Sequence, residues 1–292
     1  MMGVFNTYFS AIRLLFFKWQ AWVVVFLANL LFALLIAFPF GRLLHKIAGH
    51  SDAPLAGLQH FDISFIADIV NNYNTEIQLM MGQVLLYISL YLLLNIFLAG
   101  GLIDTYIHLF KRFSLSDFLS KCALHFWRLF RLALYFIGAQ VVVVIALLAV
   151  YTNIGLSPFE LDSDQQLISR TRLFLIAFVV LFAWIDMVLE YAKVMVVIQE
   201  KKGFILPKLI SVKFFVLKHF FPMLLLYLLC VLTFILLTSC YTIANKTFAM
   251  NSMSTIAFAI LVGQFFLFFK VGSRLLFTTA AIDYLRSVDW GK

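Results

Sequence analysis

Long apolar stretches dominate this sequence of 292 residues. Five of them contain no charged residue, and they lie at 19–41, 77–103, 132–159, 220–245 and 247–269. Each is longer than the roughly 20 residues that a helix needs to cross about 30 Å of hydrocarbon. Because a helix satisfies its backbone hydrogen bonds within one segment and no alternating barrel pattern is present, the stretches predict transmembrane helices.

A sixth stretch, at about 171–193, is apolar from Leu173 to Ile185 and then contains Asp186, Glu190 and Lys193. Only 12% of the residues in the chain are charged, whereas soluble proteins average about 25%. The sequence therefore predicts an all-α fold, a polytopic membrane bundle of six transmembrane helices. Residues 1–292 are expected to form one transmembrane domain without a separate soluble domain.

The basic residues predict the orientation of the chain. Of the 22 Lys and Arg residues, 17 lie in the segments 1–20, 104–131, 193–219 and 270–292. The positive-inside rule places such segments in the cytoplasm, so both termini are expected there. Because the basic residues are spread over four membrane-flanking segments instead of one face of a soluble domain, nucleic acid is not an expected partner.

This topology makes a direct prediction for reporter fusions. Reporters fused after Lys111, Lys202 or Lys292 should report the cytoplasm, and those after Asp52, Asp162 or Lys246 the outer side. The physical reason is the low cost of leaving Lys and Arg on the cytoplasmic side during insertion. Alkaline phosphatase and a fluorescent protein are complementary reporters for the measurement. One reversed site would contradict the six-span topology.

The segment 114–138 is basic, aromatic and amphipathic. On a helix, Asp117, Lys121, His125 and Arg128 share one face, and Ser114 with Asp117 has the form of a capping box. Such a helix suits a membrane surface, after which the chain is expected to turn inward as a span. Segments 5–18 and 207–220 are similar. The candidates for contact with anionic lipid headgroups on the cytoplasmic side are Lys18, Lys121, Arg128, Arg131, Lys213 and Lys218.

The same pattern before three apolar stretches predicts an internal repeat. The tripeptides Phe16-Phe17-Lys18, Phe126-Trp127-Arg128 and Val216-Leu217-Lys218 each precede a span. The repeating unit would be a surface helix followed by two spans, used three times. Parallel repeats of this kind place equivalent helix ends around one centre.

The connections predict no metal or cofactor site. Pro39 is expected to end the first span. The long outer connection that follows is expected to contain a short helix near 63–73. The spacing of the histidines and aspartates there matches no known ligand pattern, so they are interpreted as ordinary loop residues: His45, His50, Asp52, His60 and Asp62. The acidic connection 153–166 lacks the glycine and distal glutamate of a calcium loop. Three cysteines predict no disulfide framework.

Charges inside two spans are the candidate functional site. Asp186, Glu190 and Lys193 share one face of the fourth span, and Lys270 and Arg274 share one face of the sixth. Depth along the helices matches Glu190 with Arg274 and Asp186 with Lys270, which predicts two ion pairs between neighbouring helices. An isolated charge at the bilayer centre costs about 2.5–3.5 kcal/mol. The sequence leaves open whether the pairs are structural or serve transport or ligand binding.

Two motifs carry a resemblance to a known family. The segment F-W-R-L-F-R at 126–131 and the run Gly272-x-Arg274-Leu-Leu-Phe resemble the uncharacterised six-helix bacterial integral membrane proteins. These are similar to the membrane domain that is fused to some glycerophosphodiester phosphodiesterases. The resemblance implies the fold and a bacterial inner membrane. It implies no reaction, because no catalytic motif accompanies it and no phosphodiesterase domain is seen in this sequence.

The preferred interpretation is a non-enzymatic, membrane-organising or accessory component. Zinc-protease, phosphate-loop, hydrolase-elbow and paired-aspartate prenyltransferase motifs are absent from the sequence. The alternative is a small transporter that uses the embedded charges of the fourth and sixth spans. Membrane lipids are the expected partners, and the sequence does not decide between a homo-oligomer and another protein partner.

Overall fold

The computed structural model describes residues 2–48, 72–108, 112–153, 164–198, 218–247 and 253–288. Within them the chain is all-α, without strands. The helices are α1 (Met2–Phe17), α2 (Trp19–Ala48), α3 (Asn74–Ile107), α4 (Leu115–Asn153), α5 (Asp164–Ile198), α6 (Phe220–Thr247) and α7 (Met253–Ser287).

Six of these helices, α2 to α7, are long and apolar enough to cross a membrane. Their surfaces explain why: leucine, isoleucine, valine and phenylalanine side chains stay exposed along most of each helix. Exposed apolar surface of this extent is stable only in lipid, because burying it in water-free surroundings is the main driving force for folding. The protein is therefore a multi-pass integral membrane protein, as the six apolar stretches predicted.

Two local predictions about helix ends are wrong. Pro39 does not close the first span, because it lies inside α2, which continues to Ala48. The predicted turn between the surface segment and the third span is also missing, since α4 runs from Leu115 to Asn153 without interruption. Membrane helices tolerate proline, and α4 contains no proline that could break it. The short helix α1 ends at Phe17 and α2 begins at Trp19, so the two helices are separated by a turn at Lys18.

The chain divides into two compact units, a large unit (Met1–Trp22 and Ile96–Lys292) and a small unit (Val23–Asn95). The small unit pairs the remaining parts of α2 and α3. In it, Phe32 lies 5.8 Å from Tyr91 between ring centroids, and Lys46 donates a hydrogen bond to Glu76. These two contacts run in opposite directions along the helices, so the pair is antiparallel.

The core of the large unit lies at one end of its helices, which we call the core end. Buried residues come from α1, the starts of α2, α4 and α6, and the ends of α3, α5 and α7. In α5, for example, Val194 to Val197 are almost fully buried, whereas Leu175 and Val180 are exposed. The core end therefore supplies most of the packing that holds the large unit together.

Two glycines permit the closest approaches in this core. A Cβ atom at Gly101 of α3 would stand 2.8 Å from the carbonyl oxygen of Phe118 in α4 and would also overlap the Sγ atom of Cys122. A Cβ atom at Gly272 of α7 would overlap the indole ring of Trp22. Small residues at helix contacts are typical of membrane bundles, because they let backbones approach.

The packing of the surface helices agrees in two places with the predicted repeat. The start of α4 packs on the end of α3 at Gly101. In the same way, α1 packs on the end of α7, where Thr279 donates a hydrogen bond of 3.3 Å to the carbonyl oxygen of Ala11. Most of the third surface segment, most of the outer helix at 63–73 and most of the acidic connection lie outside the described residues. The threefold repeat stays a prediction.

Candidate functional site

The embedded charges gather where α5 packs against α7. Lys193 donates a hydrogen bond of 2.6 Å to Glu190 Oε1, one turn earlier on α5. The other carboxylate oxygen, Glu190 Oε2, accepts a bond of 3.3 Å from Thr278 of α7. Glu190 and Lys193 are 14% and 19% exposed. Both oxygens of a largely buried carboxylate are therefore held, and one of the bonds joins the two helices.

The remaining predicted members of this α5–α7 charge cluster are exposed. Arg274 interacts electrostatically with both Glu190 and Asp186, and its side chain and those of Asp186 and Lys270 are exposed. The direct partner of Glu190 is Lys193 on the same helix, where the sequence had predicted Arg274. Among the described residues, Asp186 and Lys270 form no direct ion pair, so their predicted pairing is not seen.

The predicted headgroup contacts differ in exposure. Arg131 and Lys218 are exposed, Arg128 is half-buried, and Lys213 lies outside the described residues. Lys121 is 27% exposed and lies 3.6 Å from Asp104. Lys18 differs most from the expectation, because it is only 5% exposed and lines a cavity. Burial lowers the pKa of Lys18, since the charged form loses hydration.

A second polar cluster, which we call the Asp104 cluster, was missed in the sequence. Asp104 Oδ1 lies 3.6 Å from Lys121 Nζ and 3.9 Å from His125 Nε2, both on α4. Asp104 Oδ2 lies 3.5 Å from Nδ1 of His108, which directly follows the end of α3. Asp104 is itself 7% exposed. One signal was available: Lys121 and His125 share a helix face, and an acidic residue follows the Gly100-Gly101 pair at the end of α3.

The chemistry of these sites is that of ion pairing. Among the described residues, no three His, Cys, Asp or Glu side chains are placed to hold a metal ion. The three cysteines are free, with Cys122 and Cys230 buried and Cys240 exposed. Comparisons of the chain with protein-family models, curated proteins and solved structures find no match.

Proposed function

We propose that the protein is a non-enzymatic, membrane-organising or accessory component of a bacterial inner membrane, with both termini in the cytoplasm. The observation that carries the proposal is the engagement of Glu190 by Lys193 and Thr278. A carboxylate whose oxygens are both occupied by the protein's own donors serves best as a link between helices. Basic residues in the connections support the orientation, and the resemblance to six-helix bacterial proteins supports the membrane.

A small transporter is the second candidate, and the exposed charges favour it. Asp186 stands at the midpoint of the span Phe174–Ile198, and it is exposed together with Lys270 and Arg274. A charge at that depth is stable in contact with water or with another charge, and costly in contact with lipid. A transporter requires a water-filled path to Asp186. An accessory role requires that the helix bundle or the lipid headgroups keep water away from Asp186.

Cysteine accessibility separates these two functions. Ala183 lies one turn from Asp186 on the same face of α5, and Ala177 lies on a different face with similar, partial burial. In a background with the three native cysteines replaced, Ala183→Cys should react with a charged, membrane-impermeant thiol reagent as slowly as Ala177→Cys. Only a thiol in contact with water ionises and reacts. Ser116→Cys, at the exposed start of α4, supplies the rate for full access.

A rate for Ala183→Cys close to that of Ser116→Cys would contradict the accessory role. It would favour the transporter, because water would then reach the middle of α5. Reaction in intact membranes from each side in turn would show from which side the path opens.

A further inference from the structure

A cavity of about 20 Å³ lies at the core end of the large unit. Its walls are the break between α1 and α2, the end of α3 and the start of α4. The charged and titratable residues that line it are Lys18, Asp104, His108, Arg112, Asp117 and Lys121. The enclosed part holds about one water-sized group, and the exposed side chain of Arg112 marks the side that faces the surroundings.

Lys18 lies at the turn between α1 and α2. Its N–H donates to the carbonyl oxygen of Leu14 at 3.3 Å, and its own carbonyl oxygen accepts from Ala21 at 3.1 Å, so the helix tightens at this residue. The side chain of Lys18 is only 5% exposed and lines the cavity. An ammonium group with little water around it is stabilised by a negative charge that enters the cavity.

The balance of charge around the cavity favours an anion. Three permanent cations from three different segments, Lys18, Arg112 and Lys121, face two carboxylates, and Asp104 is already shared by Lys121 and His108. The start of α4 forms part of the same wall through Ser114, Asp117 and Phe118. The first amides of a long helix carry a partial positive charge and have no partner within the helix.

We propose that this cavity takes up one oxygen of a phosphate group, which an anionic ligand, either a lipid headgroup or free phosphate, presents at the open side beside Arg112. Lys18 and Lys121 supply point charges, and the planar guanidinium of Arg112 can bond two phosphate oxygens at once. Exposed Phe17 and Trp19 lie beside Lys18, and aromatic side chains of this kind are typical of the depth at which lipid phosphates lie. The proposal is independent of whether the α5–α7 charge cluster is sealed or hydrated.

Binding to purified protein in detergent tests the proposal. The probes are inorganic phosphate, phosphatidylglycerol and phosphatidylcholine, followed by native mass spectrometry and by the fluorescence of Trp19 and the other tryptophans. Lys121→Gln and Arg112→Gln should each weaken binding of the anionic probe about tenfold or more, because each removes a charge-assisted bond. Arg172→Gln removes an exposed cation of α5 that lies outside the cavity, so it should leave binding unchanged.

Asp104→Asn separates an anion site from a cation site. Removal of the carboxylate should strengthen binding of the anionic probe, since one repulsive charge is lost. Competition by millimolar inorganic phosphate would identify a free phosphate site, and binding of phosphatidylglycerol without such competition a headgroup site. Equal binding by the wild type and by both Lys121→Gln and Arg112→Gln would overturn the proposal, as would weaker binding after Asp104→Asn.

Discussion

Alanine at Gly272 should destabilise the purified protein in detergent by about 1–3 kcal/mol, the usual cost of overpacking a well-packed core. An added Cβ atom would stand 2.7 Å from Cε2 and 2.8 Å from Cη2 of Trp22. That indole has little room to move, because its Nε1 donates a hydrogen bond of 2.9 Å to the carbonyl oxygen of Phe268. Its ring also stacks on Phe268 at 4.2 Å between centroids.

A matched control lies on the same helix. Gly263 is also in α7, and a Cβ atom there would meet only the hydroxyl of Tyr241 at 4.0 Å. Gly263→Ala should therefore keep or raise stability, because alanine favours a helix over glycine by about 1 kcal/mol. The measurement is the fraction of folded protein that remains after heating, resolved by size-exclusion chromatography. A loss equal to that of Gly272→Ala would show that glycine flexibility, instead of the Trp22 contact, matters in α7.

A second variant tests whether the loss comes from the indole. Trp22→Phe shortens the ring system and removes the bond to Phe268, so it should destabilise the protein alone. In the double variant with Gly272→Ala, the smaller ring makes room for the new methyl group. The combined loss should be smaller than the sum of the two single losses, since residues in contact couple. Additive losses would contradict a direct clash.

The helices of this fold could be predicted from the sequence, whereas the contacts between them could not. Apolar stretches predicted six spans because hydrocarbon leaves the backbone few alternatives to a helix. The same reasoning failed for Pro39, since the cost of one lost hydrogen bond did not end α2. The contact between Trp22 and Gly272 joins residues 250 positions apart, and no periodicity within one helix reports such a contact.

The candidate site was predicted in part for a similar reason. Glu190 and Lys193 are separated by three positions, so helix geometry places them on one face, as predicted; the bond between them was not predicted. The hydrogen bond from Thr278 to Glu190 depends on how α5 packs against α7. Because Thr278 is uncharged, the search for embedded charges did not identify it. Asp104 and Lys121 lie on different helices, and their approach depends on the course of the chain between α3 and α4. Depth matching therefore identified the right helices, whereas the residue that pairs directly with Glu190 is Lys193.

Removal of Lys193 is the second change with a large expected effect. Lys193→Met leaves the carboxylate of Glu190, only 14% exposed, without its nearest cation. Such a change costs about 3 kcal/mol, the lower end of the range for buried pairs. Glu190→Gln should cost less, because Lys193 lies close to the end of α5 and its long side chain can reach the headgroups. The order of the two losses is therefore part of the prediction.

The double variant Glu190→Gln with Lys193→Met leaves no unpaired charge from this pair, so it should recover part of the loss. The exposed pair Lys46 and Glu76, with side chains 57% and 39% exposed, is the control. Its removal by Glu76→Gln should leave the stability of the protein almost unchanged, because exposed ion pairs contribute little. Arg274→Gln measures the contribution of α7, and its coupling to Glu190 should be smaller than that of Lys193. If Arg274 couples more strongly, the charge that matters to Glu190 lies on the neighbouring helix, and the depth matching had named the right partner.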